Sequence, residues 1–379
     1  METLYPGGAE MFVLRLASAL SARHEVVLFR VYPEAIDQAL VARHLGAFQH
    51  AWPDIPFDKL LRKIDRVFRL ASIDFSFREL WTRRSLRRLI NTFKPDVIHS
   101  NQIKVDYLMA RVVQHEAFVV TLHGDYKTFD ELKDDSRRIL NFESKLKFIT
   151  SKNPAFVYIS RTQRVYIESK NLGATSLTKI YNGYPDLTVH SNKSDVFTFG
   201  MIARGIKEKG WQIAIDAFLK VHEQFPQTQL LLAGDSEYMQ ELQSRYSSYP
   251  NIRFAGQVAD PLAWISQLHV GLLPSYYSSE SLPTSVIEYL LAGIPVLASN
   301  AGEIEQMIST PEGSAGKTFR IHQNNSDAEA LAVEMKKYLA DNHQYQQHCE
   351  RAHAAFKKFD MQTCVEAYEN LYRTELSKR

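Results

Sequence analysis

Residues 270–299 read Val270-Gly-Leu-Leu-Pro-Ser-Tyr-Tyr-Ser-Ser-Glu280-Ser-Leu-Pro-Thr-Ser-Val-Ile-Glu288-Tyr-Leu-Leu-Ala-Gly-Ile-Pro-Val-Leu-Ala-Ser299. The stretch holds a strand, a loop, a helix and a second strand. Residues 270–274 and 295–299 are short runs, apolar on both faces. Between them Val286, Ile287, Leu290 and Leu291 fall at helical spacing, and Pro283 suits a first helical turn. Strands without a polar face, joined by a helix, belong to a parallel sheet covered by helices on both sides.

The same alternation extends outward. Residues 196–201, 229–233 and 252–255 read as strands, with helices at 211–223, 236–246 and 261–267. The first half repeats the logic less cleanly, with strands at 26–31, 96–100, 118–123, 156–160 and 178–182. Residues 325–379 read as helices to the end. A polar, proline-containing segment at 184–195 joins the halves. The expected fold class is α/β, with two Rossmann-like, doubly wound parallel-sheet domains. They are residues 1–184 and 185–360, followed by a C-terminal helix at 361–379 packing back toward the first domain. A length of 379 residues accommodates two domains.

Composition narrows the class. With 45% hydrophobic and 23% charged residues, the chain is neither disordered nor fibrous. Cys349 and Cys364 form no disulfide framework and have no metal-ligand spacing, so a reducing, cytoplasmic compartment is expected. No apolar run reaches a membrane-spanning length, and no signal-peptide pattern opens the sequence. The net charge of +2 conceals an asymmetry. Residues 1–185 hold 28 Lys and Arg against 20 Asp and Glu, and the remainder holds 17 against 23. A basic half joined to an acidic half implies different partners.

Two clusters carry chemistry. Glu280 lies after a buried strand, where ligands of open α/β sheets bind. The amides of Leu282, Thr284 and Ser285 at the following helix start would face an anion. Glu288, a turn or so inside the helix, could accept from ribose hydroxyls. The second cluster is Gly200-Met-Ile-Ala-Arg204-Gly-Ile-Lys-Glu-Lys209-Gly210, again leaving a strand and entering a helix. Arg204 and Lys209 offer fixed cations to a diphosphate. Each cluster alone is adequately read as an ordinary loop: an acid before a helix start favoured by the helix dipole, and a solvated charged turn. Together, cations, helix amides and carboxylates at one sheet edge match a nucleotide sugar better than a bare phosphate.

Five features occur in order: Gly-Gly-Ala-Glu at 7–10, Arg204 followed by Lys209, Glu280 and Glu288 separated by seven residues, Leu-Ala-Gly-Ile-Pro-Val at 291–296, and Gly302-x-x-Glu305. The chain resembles a retaining glycosyltransferase of family 4 with the GT-B fold over nearly its whole length. The resemblance implies two domains facing a cleft, the first for the acceptor and the second for a UDP- or GDP-linked sugar. It implies catalytic roles for Glu280, His123, Arg204 and Lys209. It implies donor contacts from Gly8, Val258, Ser281, Leu282, Pro283, Thr284 and Glu288. No metal and no other cofactor is implied, because the cations and the helix end take the metal's part. Retention by same-face attack is implied, with the leaving phosphate as base. The acceptor would be a glycan or lipid-linked sugar of cell-surface polysaccharide, lipopolysaccharide or capsule.

The sequence departs from that pattern at its start: the strand expected before Gly7-Gly8 is missing or cut short. After Glu280 stands Ser281-Leu282-Pro283, where the family often has Gly or Phe-Gly, and Ala301 replaces a Gly of the last motif. Residues 57–94 hold 11 Lys and Arg against four acids, with Phe57, Leu60, Leu61, Ile64, Val67 and Phe68 at helical spacing. The pattern fits equally a core-facing helix with a charged outer face and a helix lying on anionic lipid. The resemblance favours the second, at the inner face of the cytoplasmic membrane. Nucleic acid is not an expected partner, since no binding module accompanies the basic stretch. The other readings are a nucleotide-sugar epimerase or phosphorylase on the same fold, and a non-catalytic sugar-nucleotide-binding protein.

Overall fold

A computed structural model describes residues 1, 7–32, 47–123, 141–170, 176–324 and 326–379. The approach to Gly7-Gly8 at 2–6, and Gly124-Asp125 after His123, lie outside the described residues. The chain divides into two compact units, Met1–Pro185 with Met361–Arg379, and Asp186–Asp360.

In the first unit, helix α1 (Gly8–Leu20) is followed by β1 (Val27–Phe29) and β2 (Gln49–Ala51), a parallel pair. Helices α2 (Asp58–Leu70) and α3 (Phe77–Phe93) lead to a parallel sheet. Its strands β3 (Val97–Ser100), β4 (Ala117–Leu122), β5 (Ala155–Tyr158) and β6 (Ser176–Lys179) lie in sequence order. Helix α4 (Ile103–Ala110) follows β3, α5 (Phe142–Thr150) precedes β5, and α6 (Arg161–Ser169) follows it. Every residue of β4 and β5 is buried. Phe118, Val120, Leu122 and Phe156 point into one core, and Val119, Ala155 and Val157 into another on the opposite face. This two-sided burial is why these strands carry no alternation.

In the second unit, β7 (Phe197–Ile202), α7 (Trp211–His222), β8 (Thr228–Ala233), α8 (Glu237–Arg245) and β9 (Ile252–Gly256) alternate. Then come α9 (Pro261–Ile265), β10 (Val270–Leu273), α10 (Thr284–Leu291), β11 (Val296–Ser299) and α11 (Ile304–Ile308). A short antiparallel pair, β12 (Ser309–Thr310) with β13 (Gly313–Ser314), precedes β14 (Gly316–Phe319). Helices α12 (Ser326–Ala340) and α13 (Asn342–Phe356) complete the unit. The six-stranded sheet has the order β14-β11-β10-β7-β8-β9, with every neighbouring pair parallel. The chain moves outward from β7 through β8 to β9. It then crosses back to place β10 on the other side of β7, so β7 and β10 flank the topological switch point.

A buried tyrosine fixes α10 over that point. Tyr289 fills the space that a side chain at Gly271 would need: a Cβ there would lie 2.4 Å from its ring. Its hydroxyl donates to the Leu272 carbonyl at 3.3 Å and accepts from the Ile202 amide at 2.9 Å, tying the helix to β10 and β7 together.

The last helix, α14 (Met361–Ser377), belongs to the first unit. The Tyr368 hydroxyl shares a hydrogen bond with Thr121 at 2.9 Å, and the Tyr372 hydroxyl one with His99 Nδ1 at 2.8 Å. His99 Nε2 meets Thr121 Oγ1 at 2.7 Å, so both ring nitrogens serve the core. Strands β2 and β14 were not expected. β2 reads Gln-His-Ala and β14 reads Gly-Lys-Thr-Phe, so neither offers an apolar run.

Candidate active site

Because all strands of the second sheet are parallel, the loops after β7, β8, β9, β10 and β11 emerge along one edge. Two of them meet at the switch point. The loop after β7 carries Arg204 and ends in a short 3-10 turn, Lys207–Lys209. Gly210 then turns into α7 with φ of +85°, and a Cβ there would stand 2.0 Å from the Pro274 carbonyl oxygen. Only glycine allows both the left-handed backbone and this contact between loops. The same contact puts the Glu208 carbonyl within reach of the Tyr276 amide at 2.8 Å.

The result is a buried ion pair. Lys209 Nζ lies 2.6 Å from Glu280 Oε2, with side chains 9% and 6% exposed. Ser275 Oγ donates to the same carboxylate oxygen at 2.7 Å. Ser299 in turn donates its hydroxyl to the Ser275 carbonyl. The Tyr277 ring lies under both cations, 5.2 Å from the Arg204 guanidinium carbon and 5.3 Å from Lys209 Nζ. Arg204 itself is exposed. No carboxylate pairs with it among the described residues.

The loop after Glu280 is braced from β11. Gly302 has φ of +58°, and a Cβ on it would fall 2.3 Å from the Glu280 carbonyl oxygen. The Glu303 amide donates to the Ser281 carbonyl at 2.9 Å. Leu282 and Pro283 are buried, and Thr284 begins α10. Pro283 occupies the cap position, one residue before the first turn where the sequence suggested it. The Val286 amide is satisfied by the Pro283 carbonyl at 3.1 Å. The Thr284 and Ser285 amides have no helical acceptor ahead of them, as at any helix start. Glu288 is buried one turn further along the helix. Val258 lies just past β9 on the same sheet edge, half-buried.

The structure thus brings Arg204, Lys209 and Glu280 together, with Ser281, Leu282, Pro283 and Thr284 running on from them into α10. Ser275 and Tyr277 were missed by the sequence reading. Nothing distinguishes a serine or a tyrosine in a loop until Lys209 arrives beside it. Gly8 and His123 belong to the first unit. Gly8 begins α1, and Phe12, one turn on, has its ring 5.3 Å from that of His123. His123 Nε2 meets Asn101 Oδ1 at 3.1 Å. Burial holds the His123 pKa down at about 3, so the ring is neutral at physiological pH. Among the described residues no group of three or more His, Cys, Asp or Glu could hold a metal ion.

Two parallel-sheet units, the second with its charged cluster at a switch point, define the GT-B class of sugar-transferring folds. Solved structures agree over almost the full chain. HepE of Anabaena, in complex with UDP and glucose, aligns with a TM-score of 0.71 at 17% identity, covering 99% of this chain and 98% of that one. A glycosyltransferase from Rickettsia africae aligns with a TM-score of 0.74 at 16% identity, covering 100% and 98%. Models of two families match: Glycosyltransferase Family 4 over residues 6–186 and Glycosyl transferases group 1 over residues 193–341. The chain belongs to the group 1, family 4 glycosyltransferases.

Curated relatives match over shorter stretches of the chain. A phosphatidyl-myo-inositol mannosyltransferase of Mycobacterium tuberculosis is 25% identical over 170 residues, 44% of each chain. The O-antigen biosynthesis glycosyltransferase WbnH of Escherichia coli is 23% identical over 205 residues, 54% of this chain and 55% of that one. An uncharacterized glycosyltransferase of Methanocaldococcus jannaschii is 29% identical over 121 residues, 31% and 29%. The match spans about half or less of the length of these relatives.

Proposed function

We propose that the chain transfers a sugar from a nucleotide diphosphate, UDP- or GDP-linked, to a glycan or lipid-linked acceptor, with retention of configuration. The observation that carries this reading is the convergence of Arg204, the Lys209–Glu280 pair and the start of α10 at the switch point. Arg204 and the Thr284 and Ser285 amides would hold the diphosphate. Lys209 would add charge from below, Glu280 would meet the donor sugar, and Glu288 the ribose. Val258 would meet the base through main chain. Gly8 and His123 are assigned to sugar or acceptor contacts in the first unit.

In the reaction, the bond between the anomeric carbon and the diphosphate oxygen breaks, and its electron pair leaves on the phosphate. The acceptor oxygen bonds to the same face of that carbon. Its proton passes to the departing phosphate. Negative charge grows on the leaving group, where preorganised cations and amides are most effective. The relatives' names support an acceptor in lipid or polysaccharide synthesis: one is a phosphatidyl-myo-inositol mannosyltransferase and another an O-antigen enzyme.

A thermal-shift panel of UDP, GDP, ADP and free phosphate tests the donor site. A ligand at 100 times its dissociation constant stabilises by about 2.7 kcal/mol, a shift of several degrees. UDP or GDP is expected to raise the melting temperature. No response to any nucleotide diphosphate would remove the basis for the assignment.

A membrane-bound acceptor has its own support. In α2 only Asp65 is buried, where it accepts from the Phe77 amide at 2.9 Å and the Ser76 hydroxyl at 2.6 Å. Phe57 and Leu70 are 81% and 79% exposed, with Leu60, Val67, Phe75 and Trp81 also outward. The basic residues of 57–94 are exposed as well, Arg78 and Arg83 excepted, and an exposed one near the surface would contribute about 1 kcal/mol toward anionic lipid. The protein should therefore co-sediment with vesicles containing anionic lipid. Replacing Phe57 and Leu70 by serine should weaken binding at least about tenfold. Equal sedimentation with neutral vesicles would contradict the electrostatic part. Among the described residues no helix is long and apolar enough to cross a membrane.

A further inference from the structure

Helix α2 reverses the usual sense of an amphipathic helix. Arg62, Asp65, Arg66 and Arg69 stand at the i, i+3, i+4, i+7 spacing that normally carries apolar residues inward. That face lines a pocket of about 440 Å³ within the first unit, a volume in the range of small-molecule sites. Tyr32, just after β1, and Ile103, Lys104 and Tyr107, after β3, line it too. The pocket therefore lies at the carboxyl ends of strands, where ligands of open α/β sheets bind. The Ile103 and Lys104 amides begin α4 and have no helical acceptor ahead of them.

Six cations line the pocket: Arg62, Arg66, Arg69, Arg78, Lys104 and Lys145. Three acids oppose them, and all three are engaged. Asp65 is 8% exposed and accepts from the Ser76 hydroxyl and from the Phe77 and Arg78 amides, which caps α3. Asp74 accepts from Lys145 Nζ at 2.7 Å, and Glu79 from Arg111 at 3.0 Å. Arg62 and Arg78 both donate to Asp58. Arg66 and Arg69 are exposed and pair with no carboxylate among the described residues. Arg62 with Arg66, and Arg66 with Arg69, are like charges at i, i+4 and i, i+3, which weakens a helix unless an anion lies between them. Two guanidinium forks match phosphate oxygens. Ile103 and Tyr107 beside them offer apolar surface to whatever the phosphate is attached to.

We propose that this pocket binds a phosphate ester, with Arg66 and Arg69 as the groups that hold its phosphate. The inference deepens the acceptor reading of the first unit and rests on it: the molecule that receives the sugar carries a phosphate seated here. The site is separate from the outward apolar residues of α2, which contact lipid without selecting a head group.

Calorimetric titration of the full chain tests the site with glycerol 3-phosphate and with dihexanoyl phosphatidic acid below its micelle concentration. Glycerol and dihexanoylglycerol are the uncharged controls. The phosphate esters should bind and the controls should not. Arg66→Gln with Arg69→Gln should weaken binding at least about tenfold. Both side chains are exposed, so the melting temperature should stay within about 2 °C of the parent. Lys59→Gln with Lys63→Gln removes the same charge from α2 outside the pocket and should change binding less than about twofold. Tighter binding of the acylated ester would assign the phosphate to a lipid-linked molecule and equal binding to a soluble one, and either upholds the pocket. The proposal is overturned if neither ester binds, or if the lysine variant loses as much as the arginine variant. It is overturned too if Arg204→Ala abolishes the binding, since the ester would then occupy the second unit. The nucleotide panel decides the donor site separately, whatever this titration shows.

Discussion

Replacing Arg204 by alanine is expected to lower turnover by about 10²–10³, equivalent to roughly 3–4 kcal/mol of transition-state stabilisation. The side chain is exposed at the carboxyl end of β7 and rests on Tyr277, so its removal leaves no buried group without a partner. The loss should therefore fall on kcat, with the melting temperature of the protein alone within about 2 °C of the parent. An Arg204→Lys variant should recover only part of the rate, because a point charge cannot reproduce the planar fork. Undiminished turnover of Arg204→Ala on its donor and acceptor would show that this cation does not meet the leaving group.

Lys209→Met is expected to act on stability as well as rate. The Lys209 and Glu280 side chains are 9% and 6% exposed, and the pair closes at 2.6 Å. Removing one partner of such a pair leaves the other charge buried and typically costs about 3–5 kcal/mol. Ser275 still donates to Glu280, which places the expectation at the lower end of that range. Urea denaturation should show the loss directly. The double variant Lys209→Met with Glu280→Gln should regain most of the stability while remaining inactive. If the single variant unfolded at the parent's urea concentration, the pair would have no structural weight. If the double variant were active, the pair would have no chemical role.

The central strands of the sheets were legible because burial on two faces leaves continuous apolar runs: Ala117–Leu122 and Val270–Leu273 need no partner to be recognised. Strands β2 and β14 were not legible, since Gln49–Ala51 and Gly316–Phe319 carry the polar composition of sheet edges. Arg204, Lys209 and Glu280 could be named from their places after strands. Their contact could not, because it depends on Gly210 and the Pro274 carbonyl, in loops some sixty residues apart. The ion pair also changes the reading of Lys209. It was expected as a cation facing a diphosphate, and its ammonium instead bonds Glu280, leaving Arg204 as the outward charge.

Helix α2 shows the limit of periodicity. Its apolar spacing suited a core face and a lipid face equally, and only the fold shows Phe57, Leu60, Val67 and Leu70 outward.

The central claim is that the second unit holds a nucleotide diphosphate at the β7–β10 switch point. A crystal structure of the protein with the nucleotide diphosphate that stabilises it most would test this directly. The account predicts diphosphate oxygens within hydrogen-bonding distance of the Arg204 guanidinium and the Thr284 and Ser285 amides, with the ribose at Glu288. A diphosphate bound away from Arg204 and from the start of α10 would contradict it.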